Sequence, residues 1–427
     1  MSKVTITSAG RWLGLGAGLM ALALLLPTAV EAQIRYGFSV RFEEPELPYK
    51  RDMNRWYRPR LNPLVEEIRQ RQANGENLTC SVQIYREAHW LVNYTTRGAE
   101  VERRIGDLKK SLADDRDQSW AAQQDESDGS WGACYESWFF RLHASVDPLK
   151  ELQVKGEKPR YRLKFLEQVD TVEELEALYD EMIISRLDVD GTSHRRDLNL
   201  VTTALGQMLW LPELAEVLDE DYPREKMAQA LIRIVDDKWQ NQETGYWGAW
   251  YEQGGRINKT DDLSITFHIV SYRKGDVKRL EQIARTTLNL RETKYPFGWH
   301  DRGTTNNHHS YDVAKLLRFS WPYLNDYQRL AVSAEISIML ARSLRLTMDG
   351  QSRFFTDAYD NIGDAYYFGV SFLDEVGYFR RSKRFWARDM RFPKAEIIRL
   401  RLLANLEALN SQDPMVQAAL RKVRATD

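Results

Sequence analysis

Cysteine and histidine are scarce in this sequence, at two and seven among 427 residues. Two cysteines, Cys80 and Cys134, are too few for a disulfide scaffold; they allow one bridge or two separate buried thiols. No two histidines have zinc spacing on a helix, and there is no GxSxG elbow, phosphate loop or dinucleotide fingerprint. Asp188-Val189-Asp190-Gly191-Thr192 faintly resembles a calcium loop but lacks the closing glutamate, so it reads as a turn before a helix. No metal and no cofactor is implied. The formal charge of −2 gives no basic field, which argues against a nucleic-acid partner. Beyond the first 32 residues no segment is apolar enough to span a bilayer.

Those first residues have the three parts of a secretory signal peptide. Lys3 and Arg11 supply positive charge, Leu13 to Leu26 is apolar apart from glycines, and small residues lead to Ala32, the expected last residue before cleavage. Its removal moves the formal charge to −3, by loss of Lys3, Arg11 and Glu31. The expected address is periplasmic or secreted, with no membrane contact after cleavage.

Residues 33–60 hold Pro45, Pro48 and Pro59 among charges and read as an irregular arm. From Pro63 onward the helical period dominates. Val172, Leu175, Leu178, Tyr179 and Met182 share a face, as do Val277, Leu280, Ala284 and Leu288, and Val332, Ile336, Met339 and Leu340. Thr171 ahead of Glu173-Glu174, and Asn325-Asp326 ahead of Tyr327, read as helix starts. Between helices lie loops of glycine, aromatics and acids: Asp128-Gly129-Ser130-Trp131-Gly132, Gly245-Tyr246-Trp247-Gly248, Tyr295-Pro296-Phe297-Gly298-Trp299, and a weaker Arg353-Phe354-Phe355 with Tyr359. The last three recur at about the length of a helical hairpin. The expected fold is all-α, an (α/α)n toroid of repeated hairpins forming one catalytic domain over 61–427. A toroid gathers one set of loops around a cleft. There Trp131, Trp247, Trp250 and Trp299 are candidate platforms for sugar rings.

Four of the seven histidines, His268, His300, His308 and His309, fall close together. The densest stretch is His300-Asp301-Arg302-Gly303-Thr304-Thr305-Asn306-Asn307-His308-His309-Ser310-Tyr311, a loop entering a helix near Ser310. Asn307 and Tyr311, four apart, share a helical face, as do His308 and Tyr311, three apart. Asn, His, Arg and Tyr together suit β-elimination from a uronic acid. The C5 proton leaves once the adjacent carboxylate is neutralised; a Tyr or His takes it, and a Tyr returns a proton to the leaving O4.

Asn306-Asn307-His308 with Ser310-Tyr311 resembles the signature of (α/α)-barrel polysaccharide lyases, in particular alginate and glucuronan lyases. The match covers six residues, and His309 departs from the tight Asn-Asn-His-Ser-Tyr spacing. The resemblance implies a lyase acting on a uronic-acid polymer, an anionic polysaccharide, without metal. It casts Asn307 as neutraliser, His308 as neutraliser or base, and Tyr311 as base and acid. His268, on a helix that Asp262 would cap, and Arg302, as a uronate clamp, complete the expected catalytic set. Arg273, His309 and Tyr359 join the tryptophans as expected substrate contacts. Two alternatives stand beside it. A toroid glycoside hydrolase would draw two opposed carboxyl groups from Glu136, Asp261, Asp262, Asp357 and Asp364. A non-catalytic glycan-binding envelope protein would use the loop aromatics alone.

Overall fold

The helical period decides most of the chain: 66% of it is helix and 4% strand, an all-α fold. A computed structural model describes residues 45, 47–114, 116–299, 307–348, 362–411 and 413–425. The expected signal peptide lies outside them. The described residues belong to one compact unit, Phe42–Asp427. Among them no helix is long and apolar enough to cross a membrane.

In chain order the main helices are α1 (Lys50–Ala73), α2 (Thr79–Tyr94), α3 (Gly98–Ala113), α4 (Trp138–Lys155), α5 (Val172–Ile183), α6 (Arg195–Trp210) and α7 (Arg224–Arg233). They continue as α8 (Leu263–Tyr272), α9 (Leu280–Asn289), α10 (Asn307–Ser320), α11 (Asp326–Met348), α12 (Ile362–Glu375), α13 (Ala395–Ala408) and α14 (Pro414–Arg424). The start at α5 is the expected one: Thr171 and Glu174 form a reciprocal capping box. Asn325 Oδ1 accepts from Gln328 N ahead of α11, and Asp262 caps α8 through Ile265 N.

Helices α4, α6, α8, α10, α12 and α14 each pack on the next, and α2 reaches α6. The others back them: α1 and α3 on α2, α5 and α7 on α6, α9 on α10, α11 on α10 and α12, α13 on α14. Burial differs most sharply between α6 and α5. Helix α6 is buried on nearly every side from Arg195 to Leu209, whereas α5 buries the stripe Leu175, Tyr179, Met182 and Ile183. All-round burial marks a helix enclosed by neighbours, and a single stripe one with a face left to solvent.

The arm expected through residue 60 is helical from Lys50. Met53, Tyr57, Leu61, Leu64 and Ile68 make an apolar stripe at three- and four-residue spacing, and they join the core around α2 and α3. Pro59 and Pro63 sit on the exposed face. Each costs about 3 kcal/mol in a helix interior, which the packed stripe offsets. Cys80, at the start of α2, is bonded to Cys134 ahead of α4. Closing a 54-residue separation stabilises the fold by about 4 kcal/mol in the chain-entropy account.

Three short strands pair in the order β1 (Ile184–Ser185), β2 (Trp250–Gln253), β3 (Arg256–Lys259), parallel then antiparallel. The two-residue turn between β2 and β3 is Gly254-Gly255, both at positive φ, which other residues adopt only under strain.

The glycine-aromatic loops work as wedges. Trp247 and Trp299 are fully buried. The indole of Trp247 donates to Val235 O, 2.7 Å away, and that of Trp299 to Thr287 O, 3.1 Å away; each bond spans 12 residues. The same device thus ties each loop back to a backbone carbonyl 12 residues before it.

Candidate functional site

Helix α10 begins at Asn307, a turn earlier than Ser310. Its first turns carry Asn307, His308, Tyr311 and Asp312, and the adjacent α8 carries His268 and Tyr272. Phe267 bridges them, edge-on to His268 at 5.3 Å and to Tyr311 at 5.6 Å between ring centres. His268 Nδ1 is 2.9 Å from Tyr272 Oη. His308 stacks on Phe368 of α12 at 4.0 Å, and its Nε2 is 3.6 Å from Asp312 Oδ2. Lys315 Nζ donates to Tyr311 Oη at 3.1 Å. Lys422 of α14 lies 5.7 Å from the Tyr311 ring centre and 4.4 Å from that of Tyr367. Successive inner helices therefore supply one wall of imidazoles, phenols and amines.

Burial sets the charges on that wall. It pulls His308 down to about 4 and His268 to about 3; His143, His308, Arg195 and Arg196 depress His268 further. Burial likewise lowers His143, on α4, to about 4. His143 keeps exposed surface area nonetheless, so it faces a concavity where bulk water solvates it poorly. At neutral pH these imidazoles are uncharged. They can accept a proton or donate an N–H, but they bring no positive charge. Burial first, and then the nearby acid and phenols, raise Tyr311; burial also raises Tyr272 and Tyr367, so the phenols hold their protons. Asp312 is buried and pushed well above the carboxylate range by burial, and its Oδ1 has no hydrogen-bond partner among the described residues. Positive charge comes from Arg196, Lys315 and Lys422, while that of Arg195 is matched by Asp262; burial lowers Lys422 to about 8.

Of the expected catalytic set, His268, Asn307, His308 and Tyr311 lie on these two adjoining helices, Asn307 buried at the head of α10. Arg302 and Tyr359, with His300, Asn306 and Asp357, lie outside the described residues. The expected substrate contacts fare differently. Trp131, at 7% exposure, and the fully buried Trp247 and Trp299 offer no open ring face and are core residues. Arg273 is buried against Asp236 in an ion pair, so it is no free clamp. His309 lies flat on Tyr295 with ring centres 4.0 Å apart, and burial lowers it to about 3. Trp250 is half-buried on β2, with Lys259 Nζ 4.0 Å from its ring centre.

Three of the five carboxylates of a hydrolase are engaged elsewhere. Glu136 pairs with Arg103 and Arg104, Asp262 pairs with Arg195 and caps α8, and Asp261 accepts from Thr244. Among the described residues no group of three or more His, Cys, Asp or Glu is arranged to hold a metal ion.

The sequence reading missed Tyr272, Asp312 and Lys315. Their signal was the four-residue spacing His268–Tyr272, His308–Asp312 and Tyr311–Lys315, which puts each pair on one helical face. His143 and Arg196 had no such signal, because they join the site from separate helices. The chain matches no family model, no curated protein and no solved structure.

Proposed function

We propose that the protein is an exported polysaccharide lyase that cleaves a uronic-acid polymer by β-elimination, on an α/α toroid whose inner ring is α4, α6, α8, α10, α12 and α14. The observation that carries this reading is the meeting of neutral His268 and His308 with protonated Tyr311 beside Arg196, Lys315 and Lys422. Cations and the Asn307 amide hold the uronate carboxylate as charge grows on it. His308, uncharged, takes the C5 proton. The arriving carboxylate raises the imidazole's affinity for that proton. Tyr311, kept protonated by burial, delivers its proton to the departing O4, and Lys315 steadies the phenolate left behind. Base and acid are here of different kinds, and burial sets them apart. The Cys80–Cys134 bond supports an oxidising compartment, where large anionic polysaccharides are met.

The test is incubation of the mature protein with alginate, polyglucuronate and glycosaminoglycans, following ultraviolet absorbance and reducing ends together. The lyase reading expects both to rise with at least one polymer. Reducing ends without absorbance, or cleavage of neutral glycans alone, refute it.

A further inference from the structure

A cavity of about 790 Å³ opens among α2, α4 and α6. Arg86 of α2 and Arg196 of α6 line it, with His143 and the rings of Tyr85, Tyr94 and Tyr135. The acids nearby already have partners. Glu87 pairs with Arg104, Asp197 accepts from the Trp90 indole and contacts His194, and Asp147 in the cavity wall pairs with Lys150. Neither Arg86 nor Arg196 has a carboxylate within ion-pair distance among the described residues. For Arg196 the cost is real: burial disfavours its charge, the cations Arg195 and Arg86 add to that, and phenols, Tyr94 and Tyr295, provide the compensation. Two guanidinium groups at one cavity, one of them desolvated, call for an anion.

We infer that this cavity is a binding subsite for a carboxylate-bearing sugar unit, clamped by Arg196 and Arg86 with tyrosine rings against the sugar's apolar face. Guanidinium matches carboxylate in a two-point geometry, and ring faces suit pyranose C–H surfaces. The cavity also neighbours the reacting wall, because α6, which carries Arg196, packs on α8, which carries His268. A polymer chain anchored here would run past His143 toward His308. That the anion is a sugar rests on the lyase reading; that the cavity takes an anion does not.

Calorimetric titration with oligouronates and with neutral oligosaccharides of equal length tests this. Wild-type protein is expected to prefer the oligouronates. Arg196→Met should weaken that binding by about 10- to 100-fold, the range for a lost charge-assisted contact, and Arg196→Lys should restore part of it. Arg86→Gln, at an exposed position, should weaken it by less. Thermal midpoints of each variant separate misfolding from lost contact. Equal affinity for neutral and acidic oligomers, or unchanged affinity in folded Arg196→Met and Arg86→Gln, overturns the subsite. Arginine-dependent binding without any unsaturated product upholds the subsite and refutes the lyase reading. Unsaturated product with unchanged affinity and KM in both variants does the reverse.

Discussion

The α8–α10 wall and the α2–α4–α6 cavity are built from similar chemistry, yet they are encoded in opposite ways. The wall is contiguous in sequence: Asn307, His308, Tyr311 and Asp312 come from two turns of one helix, and His268 and Tyr272 from the helix beside it. The cavity takes Arg86, His143 and Arg196 one at a time from helices far apart in the chain. A site on one helix leaves a spacing signature; a site assembled across helices leaves none until the helices are packed. A second contrast lies in the charges. The wall's histidines are neutral at neutral pH, so its cations are arginines and lysines, and the cavity shares Arg196 with it and adds Arg86.

The largest expected effect separates chemistry from binding. Tyr311→Phe should lower the elimination rate by at least about 100-fold, as loss of a general acid does, with polymer affinity retained. His308→Gln should cost a similar factor. Equal losses of affinity and rate in both variants would make the wall a binding surface and dissolve its contrast with the cavity.

Structural residues should behave oppositely. Glu87 is buried and accepts from Arg104, from Ser137 N and from Glu136 N, which fixes the loop at the head of α4 and so the cavity wall. Glu87→Ala should destabilise the fold by about 3–5 kcal/mol in denaturant titration, since it takes from a buried guanidinium its nearest carboxylate and from the α4 loop the acceptor of its backbone N–H groups. Trp247→Ala should cost about 3–5 kcal/mol as well, with oligouronate affinity per folded molecule unchanged. A selective loss of affinity would return Trp247 to the substrate surface.

The smallest effect is in pH. His268 titrates at 6.5 in the unfolded chain and near 3 when folded. Between those values the unfolded state binds more protons, so this group's stabilisation is complete above about pH 6.5 and falls away as pH drops through the window. Asp312 has the opposite sign, because its folded pKa is raised, so the comparison must be with a variant. His268→Gln should flatten the rise in stability with pH relative to wild type. An identical slope would mean that His268 is solvated, not buried in the wall.

Much of the helical layer was legible in the sequence, because periodicity and caps are local: the Thr171 box, the Asp262 cap and the buried Val332, Ile336 and Met339 stripe all stand where the pattern puts them. The first helix was hidden by Pro59 and Pro63, which suggest a break but sit on its exposed face. The tryptophans were misread for a physical reason. Glycine beside an aromatic suggests an open loop, whereas here glycine lets the backbone approach closely enough to drive the ring inward. At Gly248 a side chain would meet Thr260 O at 2.3 Å, and the neighbouring Trp247 is fully buried. Sequence alone sees the flexible residue; packing decides where the aromatic goes.

The central claim is that a neutral imidazole and a protonated phenol divide the work of elimination on a polyuronate. The most direct measurement is ultraviolet absorbance of polyuronate digests by wild type and Tyr311→Phe at matched, binding-saturating substrate. The account predicts an unsaturated product from wild type and a rate at least about 100-fold lower from the variant. Absorbance rising equally with both proteins, or with neither while reducing ends accumulate, would contradict it.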